Sequence, residues 1–395
     1  MTQLGDLVGQ LLRTADDPYP VYDRIRDAGR VLWVEELGRW LVTGHREALA
    51  VLCHSRASSD RRRYEDAPPG GAGGGYRPGG LPFVDPPDHT RLRALVQQAF
   101  TPKAVERLRP EVERLTDELL TAAGERGEAD LIADFAGPLP AVVLAELLGI
   151  PPGDQELFRS WAMKIIETID PVSQRVVSGA GHQASADLSD YLTRVIDERR
   201  RRPADDLISG MVHAEESGQR LSGDELLQMC LLLAVVGLET TTNLIGNGVS
   251  ALLAHPAELR RLQAEPGLVK SAVEELLRYD APVQLAGRVA VDDIELDGRT
   301  LRPGQVVGLV LGAANRDPAA FPDPDRLDLT RSPNNHVAFG RGIHFCLGAP
   351  LARLEGPIAI AALVTRFPKV RPAGEAKRRQ NVHVRGFESV PIALT

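Results

Sequence analysis

One cysteine in this chain lies between glycines, directly before a segment with a helical pattern. Residues 339–349 read Phe-Gly-Arg-Gly-Ile-His-Phe-Cys-Leu-Gly-Ala, with the cysteine at position 346. A helix start beside Cys346 offers unpaired backbone N–H groups and the positive end of the helix dipole, and both favour a thiolate over a thiol. Because no second cysteine is near, such a thiolate suits one axial bond to a metal better than a four-ligand cage. A buried structural cysteine beside a glycine-rich turn is the alternative interpretation.

The whole string around Cys346 is more specific than the cysteine alone. Its pattern, Phe-Gly-x-Gly-x-His-x-Cys-x-Gly, resembles the haem-binding loop of the cytochrome P-450 family, the haem-thiolate monooxygenases. The resemblance implies that Cys346 is the axial ligand of heme b (iron protoporphyrin IX), with Phe339 packed on the sulfur side. It also implies that His344 and Gly348 belong to the cofactor site. A zinc site at Cys346 is disfavoured because no other ligands stand at usable spacing.

The resemblance covers essentially the full chain and implies a single cytochrome P-450 domain over residues 1–395. The expected fold is α+β, mainly α-helical with a smaller β-rich part, with haem between a long central helix and the helix after Cys346. The β-rich part is expected mainly at residues 31–43, 289–311 and 382–393, where short apolar runs lie between turn residues. A terminal strand pair is expected over Val382–Val384 and Val390–Ala393.

Charge, cysteine usage and the N-terminal sequence limit the expected partners and location of the protein. The 395 residues carry a net charge of −8 and show no basic stripe, which argues against nucleic acid. The three widely separated cysteines are typical of reduced thiols in a cytoplasmic protein. Residues 1–13 contain no basic region followed by a long apolar run, so neither a signal peptide nor a membrane anchor is expected.

A long helix is predicted to begin at Ser222 and to end near Pro256. Ser222 and Glu225 have the spacing of a capping box, and proline stops a helix. Leu226–Leu238 is apolar except for Gln228, and it is too short to span a bilayer. The pattern therefore predicts a buried central helix.

Glu239 and Thr240 follow that apolar run, where polar groups are costly unless they are paired or functional. In one interpretation Thr240 bonds back to the carbonyl one turn earlier and Glu239 finds a basic partner. In the other, Gly237, Glu239 and Thr240 match the family's oxygen-site pattern. The resemblance then implies that Thr240 positions oxygen and its water while Glu239 relays protons. The sequence departs from that pattern at Val236, where a smaller residue is usual, so we expect a narrower pocket or a shifted helix there.

A basic cluster is expected around the two haem propionates. His89 and Arg93 stand four residues apart on a predicted amphipathic helix, so both can reach one anion. A solvated pair near a helix start is the alternative. The resemblance assigns both positions, together with Arg288 and His344, to the propionates.

A structural ion-pair site is expected on the next helix. Glu275 and Arg278 match the family's Glu-x-x-Arg, and the third member is matched by Arg326. A carboxylate held by two guanidiniums would tie this helix to the irregular segment before Cys346. Alone, a Glu–Arg pair three residues apart is a common surface feature of little energetic weight.

The substrate pocket is expected to be apolar. Segment 56–82 is rich in glycine and proline and predicts a mobile loop, which in the resembling family covers the pocket. Candidate pocket residues are Leu81, Phe83, Val235, Val236, Val283, Gln284, Leu285, Ala286 and Phe387.

The resemblance implies an O2-activating monooxygenase acting on a hydrophobic small molecule. Hydroxylation or epoxidation in secondary-metabolite biosynthesis or xenobiotic oxidation is the expected activity, by a monomer. No flavin or nicotinamide site is evident, so electrons are expected from a ferredoxin and its reductase. Arg91, Lys103, Arg341 and Arg353 are candidates for the docking surface, although ordinary solvated side chains are the alternative for each.

Three other functions stay open at the sequence level. A peroxide-driven enzyme of the same fold would not need Glu239 and Thr240, so their presence argues against it. An oxidative coupling or isomerising enzyme of the same fold would use the same residues. A non-catalytic haem-based binder or sensor would need haem and Cys346 but no proton relay.

Overall fold

The computed structural model describes residues 3–11, 16–60, 63, 80–167, 178–214 and 218–395. Most of the segment 56–82 that predicts a loop lies outside the described residues. At its end, Leu81–Phe83 forms one 3-10 turn.

Helices make up most of the described chain, because amphipathic and apolar stretches of helical period recur along it. In chain order they are α1 (Gln3–Leu11), α2 (Tyr19–Ala28), α3 (His45–Leu52), α4 (Asp88–Ala99), α5 (Pro102–Glu106), α6 (Arg109–Arg126), α7 (Pro138–Leu148), α8 (Gln155–Glu167), α9 (Gly179–Arg201), α10 (Leu207–His213), α11 (Gly223–Ala254), α12 (Pro256–Ala264), α13 (Val269–Tyr279), α14 (Leu311–Ala314) and α15 (Ala349–Arg366). A π-helical turn, Ile132–Ala136, precedes α7.

The strands are short and form small sheets. They are β1 (Val31–Val34), β2 (Arg39–Val42), β3 (Ala57–Ser58), β4 (Glu128–Asp130), β5 (Leu285–Ala290), β6 (Ile294–Leu296), β7 (Arg299–Leu301), β8 (Val306–Val310), β9 (Arg371–Pro372), β10 (Lys377–Arg378), β11 (Phe387–Ser389) and β12 (Pro391–Ala393). The largest sheet has the order β1-β2-β8-β5-β3, in which only the β2–β8 pair is parallel. The remaining sheets are β4-β12-β9, β6-β7 and β10-β11. The expected α+β fold, mainly helical, is confirmed.

The terminal strand pair differs from the expectation. Residues 382–384 form no strand and contribute only an isolated bridge, between Val384 and Val283. The hairpin partner of β11 is β10, while β12 pairs with β4 and β9. The polar loop between β10 and β11 explains the error. Asn381 folds it by accepting the backbone N–H groups of His383 and Val384 through its side chain, a contact that hydrophobicity does not predict.

Helix α11 is the longest helix of the described chain and begins and ends as predicted. The Ser222 hydroxyl accepts from the Glu225 N–H, the Glu225 carboxylate accepts from the Ser222 N–H, and the helix stops before Pro256. By length and composition α11 could cross a membrane, but 72% of its most apolar window is buried inside the molecule. It is therefore the core helix around which the largest hydrophobic cluster packs.

The cysteine loop, residues 339–348, directly precedes α15. Its glycines have a steric role at two points, since Gly340 and Gly342 have φ angles of 68° and 71°. A Cβ on Gly342 would lie 2.6 Å from the Leu52 carbonyl oxygen, so the loop passes directly against the end of α3.

Candidate functional site

Cys346 lies just before the first turn of α15, as expected from the sequence. Its own N–H donates to the Phe339 carbonyl at 3.0 Å, which closes the loop. Burial raises the pKa of the Cys346 thiol. The N–H groups of Gly348 and Ala349, which bond to the sulfur, and the nearby Arg93 act in the opposite direction. Donors to sulfur and a helix N-terminus are the surroundings that tune a thiolate ligand.

Phe339 is held in place by an arginine of α15, which is itself anchored on α13. The Arg353 guanidinium stacks 4.7 Å from the centre of the Phe339 ring. Arg353 in turn donates to both oxygens of Glu274 at 2.7 Å, and the same carboxylate contacts His336 at 3.0 Å. Phe339 therefore belongs to a fixed wall of the cysteine loop.

A cluster of basic groups from three parts of the chain forms beside the loop. The rings of His89 on α4 and His344 on the loop have their centres 4.2 Å apart. Burial, followed by the positive fields of Arg288, His89 and Arg93, lowers the pKa of His344 to about 3. Burial and Arg93 likewise lower the pKa of His89, whose buried Nε2 has no hydrogen-bond partner. The structure thus brings together the four residues that the sequence assigned to the propionates.

These features fit haem. Adjacent positive groups repel one another, and an orphaned ring nitrogen is costly when buried. Two propionate carboxylates would remove both penalties, and the half-buried Cys346 sulfur would hold the iron. The structure describes no group of three or more His, Cys, Asp or Glu residues able to hold a metal ion, so within that part of the chain the single-ligand arrangement is the one that fits.

The middle of α11 supplies the second half of the site. Val236 exposes 42% of its surface although most neighbouring positions of the helix are buried, so its side chain lines an open space. The Thr240 hydroxyl donates to the Val236 carbonyl at 2.9 Å, and Thr240 is half-buried. The back-bonded arrangement of Thr240 is therefore present, and the hydroxyl oxygen keeps its lone pairs as acceptors. Helix α11 runs unbroken through Val236.

Glu239 is nearly buried and carries an ion pair. Its Oε1 lies 3.3 Å from Nη1 of Arg379, a residue just beyond β10. Burial raises the pKa of Glu239 to about 7, and Arg379 acts in the opposite direction. A carboxyl group with a pKa near neutrality can both hold and release a proton under physiological conditions.

Six of the nine candidate pocket residues divide into two groups. Val236, Phe83, Val283 and Ala286 are exposed or half-buried, and Ala286 shares a strand face with Arg288 because side chains alternate along β5. Leu81 and Val235 are buried in the helical core.

Three pocket expectations are corrected. Gln284 is buried, and its amide bonds the Tyr22 hydroxyl at 3.0 Å and the Ala281 carbonyl at 2.7 Å. Leu285 lies on the opposite strand face and packs with α1 and α2. Phe387 is buried beneath the Arg378 guanidinium, which lies 3.6 Å from its ring centre. Strand alternation and a long-range cation–π contact decide these orientations, and neither follows from apolar character.

The structural ion-pair site at Glu275 and Arg278 forms, but its third residue is not the expected Arg326. Arg278 donates to both Glu275 oxygens, and the second guanidinium on this carboxylate belongs to Arg331, at 3.1 and 3.2 Å. Arg326 is exposed and contributes its main-chain carbonyl, which accepts from Arg278 and Arg331. The expectation for Arg326 was therefore wrong. In an irregular segment, residue spacing does not reveal which guanidinium turns inward.

Sequence reasoning also missed Arg379 and Asn243. Arg379 ends the run Lys377-Arg378-Arg379, which alone predicts a solvated face. The available signal was on α11, where polar residues Glu239, Asn243 and Asn247 recur every four positions and therefore share one face.

Comparisons with known proteins agree with the site. A family model described as Cytochrome P450 matches residues 31–387. The chain is 46% identical over 315 residues to the polyketide biosynthesis cytochrome P450 PksS of Bacillus subtilis (strain 168), which covers 79% of this chain and 76% of the relative. It is 44% identical over 388 residues to the cytochrome P450 monooxygenase PikC of Streptomyces venezuelae, with 96% and 91% covered. The solved structure of P450BioI, in complex with an acyl carrier protein ligated to hexadec-9Z-enoic acid, has a TM-score of 0.89 at 36% identity, with 98% of this chain and 100% of that chain covered.

The fold and the site together define a haem-thiolate oxidoreductase. The chain belongs to the cytochrome P450 family, whose members are monooxygenases, and its cofactor is heme b.

Proposed function

We propose that this cytochrome P450 hydroxylates or epoxidises a hydrophobic small molecule, with electrons from a separate ferredoxin and its reductase. The observation that carries the proposal is the pair Glu239–Thr240 on α11. A carboxyl group with a pKa of about 7 directly precedes a hydroxyl that keeps its acceptor lone pairs. A binder or sensor would have no use for such a group, whereas a reaction that consumes protons would.

Each residue of the site has a task in this proposal. Cys346 would hold the haem iron, and the N–H groups of Gly348 and Ala349 would offset the charge of the sulfur. Phe339, fixed by Arg353, excludes water from the sulfur side. His89, Arg93, Arg288 and His344 would bind the propionates. When bound, haem supplies the activation of O2 that inserts one oxygen atom into the substrate.

Protons reach the oxygen site through side chains of α11. Glu239 holds a proton at its carboxyl group near neutral pH, releases it to the oxygen site beside Thr240 and takes up another from solvent. Because the Thr240 hydroxyl donates its hydrogen to the Val236 carbonyl, its oxygen accepts a hydrogen bond from a water or from the protonated carboxyl group and so orients that donor. Val236 presents two methyl groups where a smaller residue is usual in the family, and they limit how close a substrate approaches this part of α11.

The substrate proposed is a medium or large apolar metabolite from secondary metabolism, with foreign hydrophobic compounds as the alternative source. Half-buried apolar side chains such as Phe83, Val283 and Ala286, together with the exposed Val236, support an apolar lining. The name of the relative PksS refers to polyketide biosynthesis, which makes polyketide-type molecules the first class to test.

Only two of the four candidate residues are kept in the proposed ferredoxin-docking surface. Arg91 pairs with Glu225 and Arg353 pairs with Glu274, so both charges are already partly neutralised within the chain. Lys103 is exposed and Arg341 is half-buried, and they are the candidates that a negatively charged ferredoxin would meet. We further propose a single domain that acts as a cytoplasmic monomer, without nucleic acid or membrane as a partner.

A two-stage experiment tests the proposal. Purified ferric protein is first titrated with a library of polyketide-type and other apolar metabolites, and displacement of the iron-bound water is followed by absorbance. Ligands that bind are then turned over with a ferredoxin, its reductase, NADPH and isotopically labelled O2. One labelled oxygen atom per product molecule is expected. Consumption of O2 with unlabelled, cross-linked or rearranged product would instead establish a coupling or isomerising enzyme.

Two variants separate the site from the rest of the protein. Cys346→Ala is expected to lose the thiolate-ligated absorbance spectrum, whereas Cys53→Ser, at an exposed position, is expected to keep it. A protein that binds metabolites but consumes no NADPH in the presence of the redox partners would overturn the proposed function in favour of a haem-based binder.

A further inference from the structure

Two adjacent arginines at the end of β10 contact one face of α11 at two positions along the helix. Arg379 extends Nη1 to Glu239 at 3.3 Å. Arg378 donates to the Asn247 side-chain oxygen and to Asp280, both at 3.0 Å. Because Glu239 and Asn247 are eight residues apart, the two contacts lie about 12 Å apart along the helix.

The segment between β10 and β11 lies directly on this helix face. A Cβ on Gly386 would come within 2.0 Å of the Asn243 side-chain oxygen, so no other residue fits there without displacement. Asn243 stands midway between Glu239 and Asn247 and is completely buried, yet neither atom of its amide has a hydrogen-bond partner. The face therefore holds an uncharged donor and acceptor one turn beyond the carboxyl group.

The Arg379 guanidinium is itself anchored on the C-terminal hairpin, which is formed by β10 and β11. Its Nε donates to the Phe387 carbonyl at 3.3 Å, and its backbone N–H donates to the Gly386 carbonyl at 3.1 Å. Its contact with Glu239 is a single long one, unlike the paired contacts of Arg278 with Glu275 at 2.7 and 2.8 Å. A single contact holds a charged carboxylate in place but releases a neutral one easily.

We propose that Arg379 is a positioning residue for Glu239, which holds the ionised carboxylate against the C-terminal hairpin and releases it when it gains a proton. This inference rests on the proposed role of Glu239 in proton supply. The released carboxyl group, which can donate and accept, turns toward the oxygen site, with the Asn243 amide as an uncharged partner on the same face. Arg379 then decides over which pH range Glu239 is loaded with a proton.

The charges around Glu239 support this assignment. Within the described ranges, Arg379 is the charged group whose field acts on Glu239, and it opposes the effect of burial. Charged groups on the other elements packed against α11 include several that pair or interact with other residues: Asp134 with Arg126, Glu146 with Glu111 and Arg114, Lys164 with Glu167, Arg199 with Asp206, Glu275 with Arg278, Glu388 with Lys377, and Arg385 with Asp280. Glu355 on α15 is buried, and its field is not among those that act on Glu239.

The first test measures the protonation of Glu239 without turnover. The carboxyl C=O stretch of Glu239 is assigned by infrared difference spectra against Glu239→Gln, and it is titrated in the ferric holoenzyme. The wild-type midpoint is expected at about pH 7. Arg379→Met is expected to raise the midpoint by roughly one unit or more, because an opposite charge is lost. Arg379→Lys, which keeps the charge, is expected to stay close to the wild type.

Arg378→Met is the matched control. It removes a neighbouring guanidinium from the same segment and breaks the contacts with Asn247 and Asp280, but not the contact with Glu239. It is expected to lower thermal stability and to leave the Glu239 midpoint unchanged. An unchanged midpoint in Arg379→Met, or an equal shift in Arg378→Met, would overturn the assignment. If Arg379→Met does not fold, Arg379→Gln serves in its place.

The second test follows product formed per NADPH as a function of pH. In Arg379→Met the high-pH decline of this ratio is expected to move to higher pH together with the infrared midpoint, since Glu239 stays protonated to a higher pH.

The proton-supply role of Glu239 and the positioning role of Arg379 can fail separately. If Glu239→Gln leaves the ratio unchanged, the proton-supply role is wrong whatever the midpoints show. If Glu239→Gln lowers the ratio but Arg379→Met shifts neither curve, only the positioning role of Arg379 is wrong.

Discussion

Arg278 donates through Nε and Nη2 to the two oxygens of Glu275, at 2.7 and 2.8 Å, and neither side chain has exposed surface. The same carboxylate also accepts from Arg331, the Asp328 N–H and the Asn334 amide. One glutamate on α13 therefore ties down the irregular segment that leads to the cysteine loop. Buried charges of this kind are tolerated because their hydrogen-bonding capacity is filled.

Glu275→Gln is expected to destabilise the protein by about 3–5 kcal/mol, because it leaves two guanidiniums without their common counter-charge in a buried site. Unfolding in denaturant measures the change. The exposed pair of Arg107 and Asp205 is the control, since its N–O contact of 2.9 Å is of similar length. Asp205→Asn is expected to cost about 1 kcal/mol or less. Equal losses at the two sites would contradict the structural role of Glu275.

Arg331 and Arg326 differ in what they present to that carboxylate. Arg331→Met removes an inward guanidinium and is expected to cost on the order of 3 kcal/mol. Arg326→Met leaves the main-chain carbonyl, and thus its contacts with Arg278 and Arg331, in place. It is expected to change the free energy of unfolding by roughly 0.5 kcal/mol or less. A larger loss of unfolding free energy in Arg326→Met than in Arg331→Met would restore Arg326 as the second guanidinium of the ion-pair site at Glu275.

Thr240→Ala is expected to leave haem content and substrate binding unchanged and to divert electrons to hydrogen peroxide. The variant loses the hydroxyl oxygen that accepts a hydrogen bond from the proton donor, while the helix keeps its backbone hydrogen bonds. Product, NADPH and peroxide are measured together in one assay. Thr242→Ala is the control, because its hydroxyl makes the same back-bond, to Leu238, from a buried position. Unchanged product per NADPH in Thr240→Ala would exclude the proposed role of Thr240.

Glu355 makes stability depend on pH. It is buried on α15, its Oε2 has no hydrogen-bond partner, and burial raises its pKa from 4.5 to about 8. Because the folded state holds this proton more tightly than the unfolded state, the contribution of Glu355 is most favourable below about pH 4.5. It falls as the pH rises from there through about 8.

Glu355→Gln is therefore expected to flatten the pH dependence of the melting temperature and to gain stability relative to the wild type above about pH 8. Thermal unfolding across this range measures the difference between the two proteins. Parallel curves for wild type and Glu355→Gln would mean that Glu355 finds a partner for its charge.

The sequence by itself determined the fold class, the cofactor and the ends of the central helix. These depend on local strings such as the cysteine loop and the capping box at Ser222 and Glu225, where the chemistry lies within a few residues. The four basic residues assigned to the propionates could also be named in advance, because the family resemblance supplies each of these positions.

Only the tertiary structure decided which distant side chains meet. Arg331 rather than Arg326 faces Glu275, Gln284 turns to Tyr22, and Arg379 reaches Glu239 across 140 positions of the chain. Long side chains on irregular segments have several possible directions, and the choice depends on charges brought near by folding. For the same reason the pKa of Glu239, and with it the proton chemistry proposed here, was decided by burial and by one guanidinium from the C-terminal hairpin.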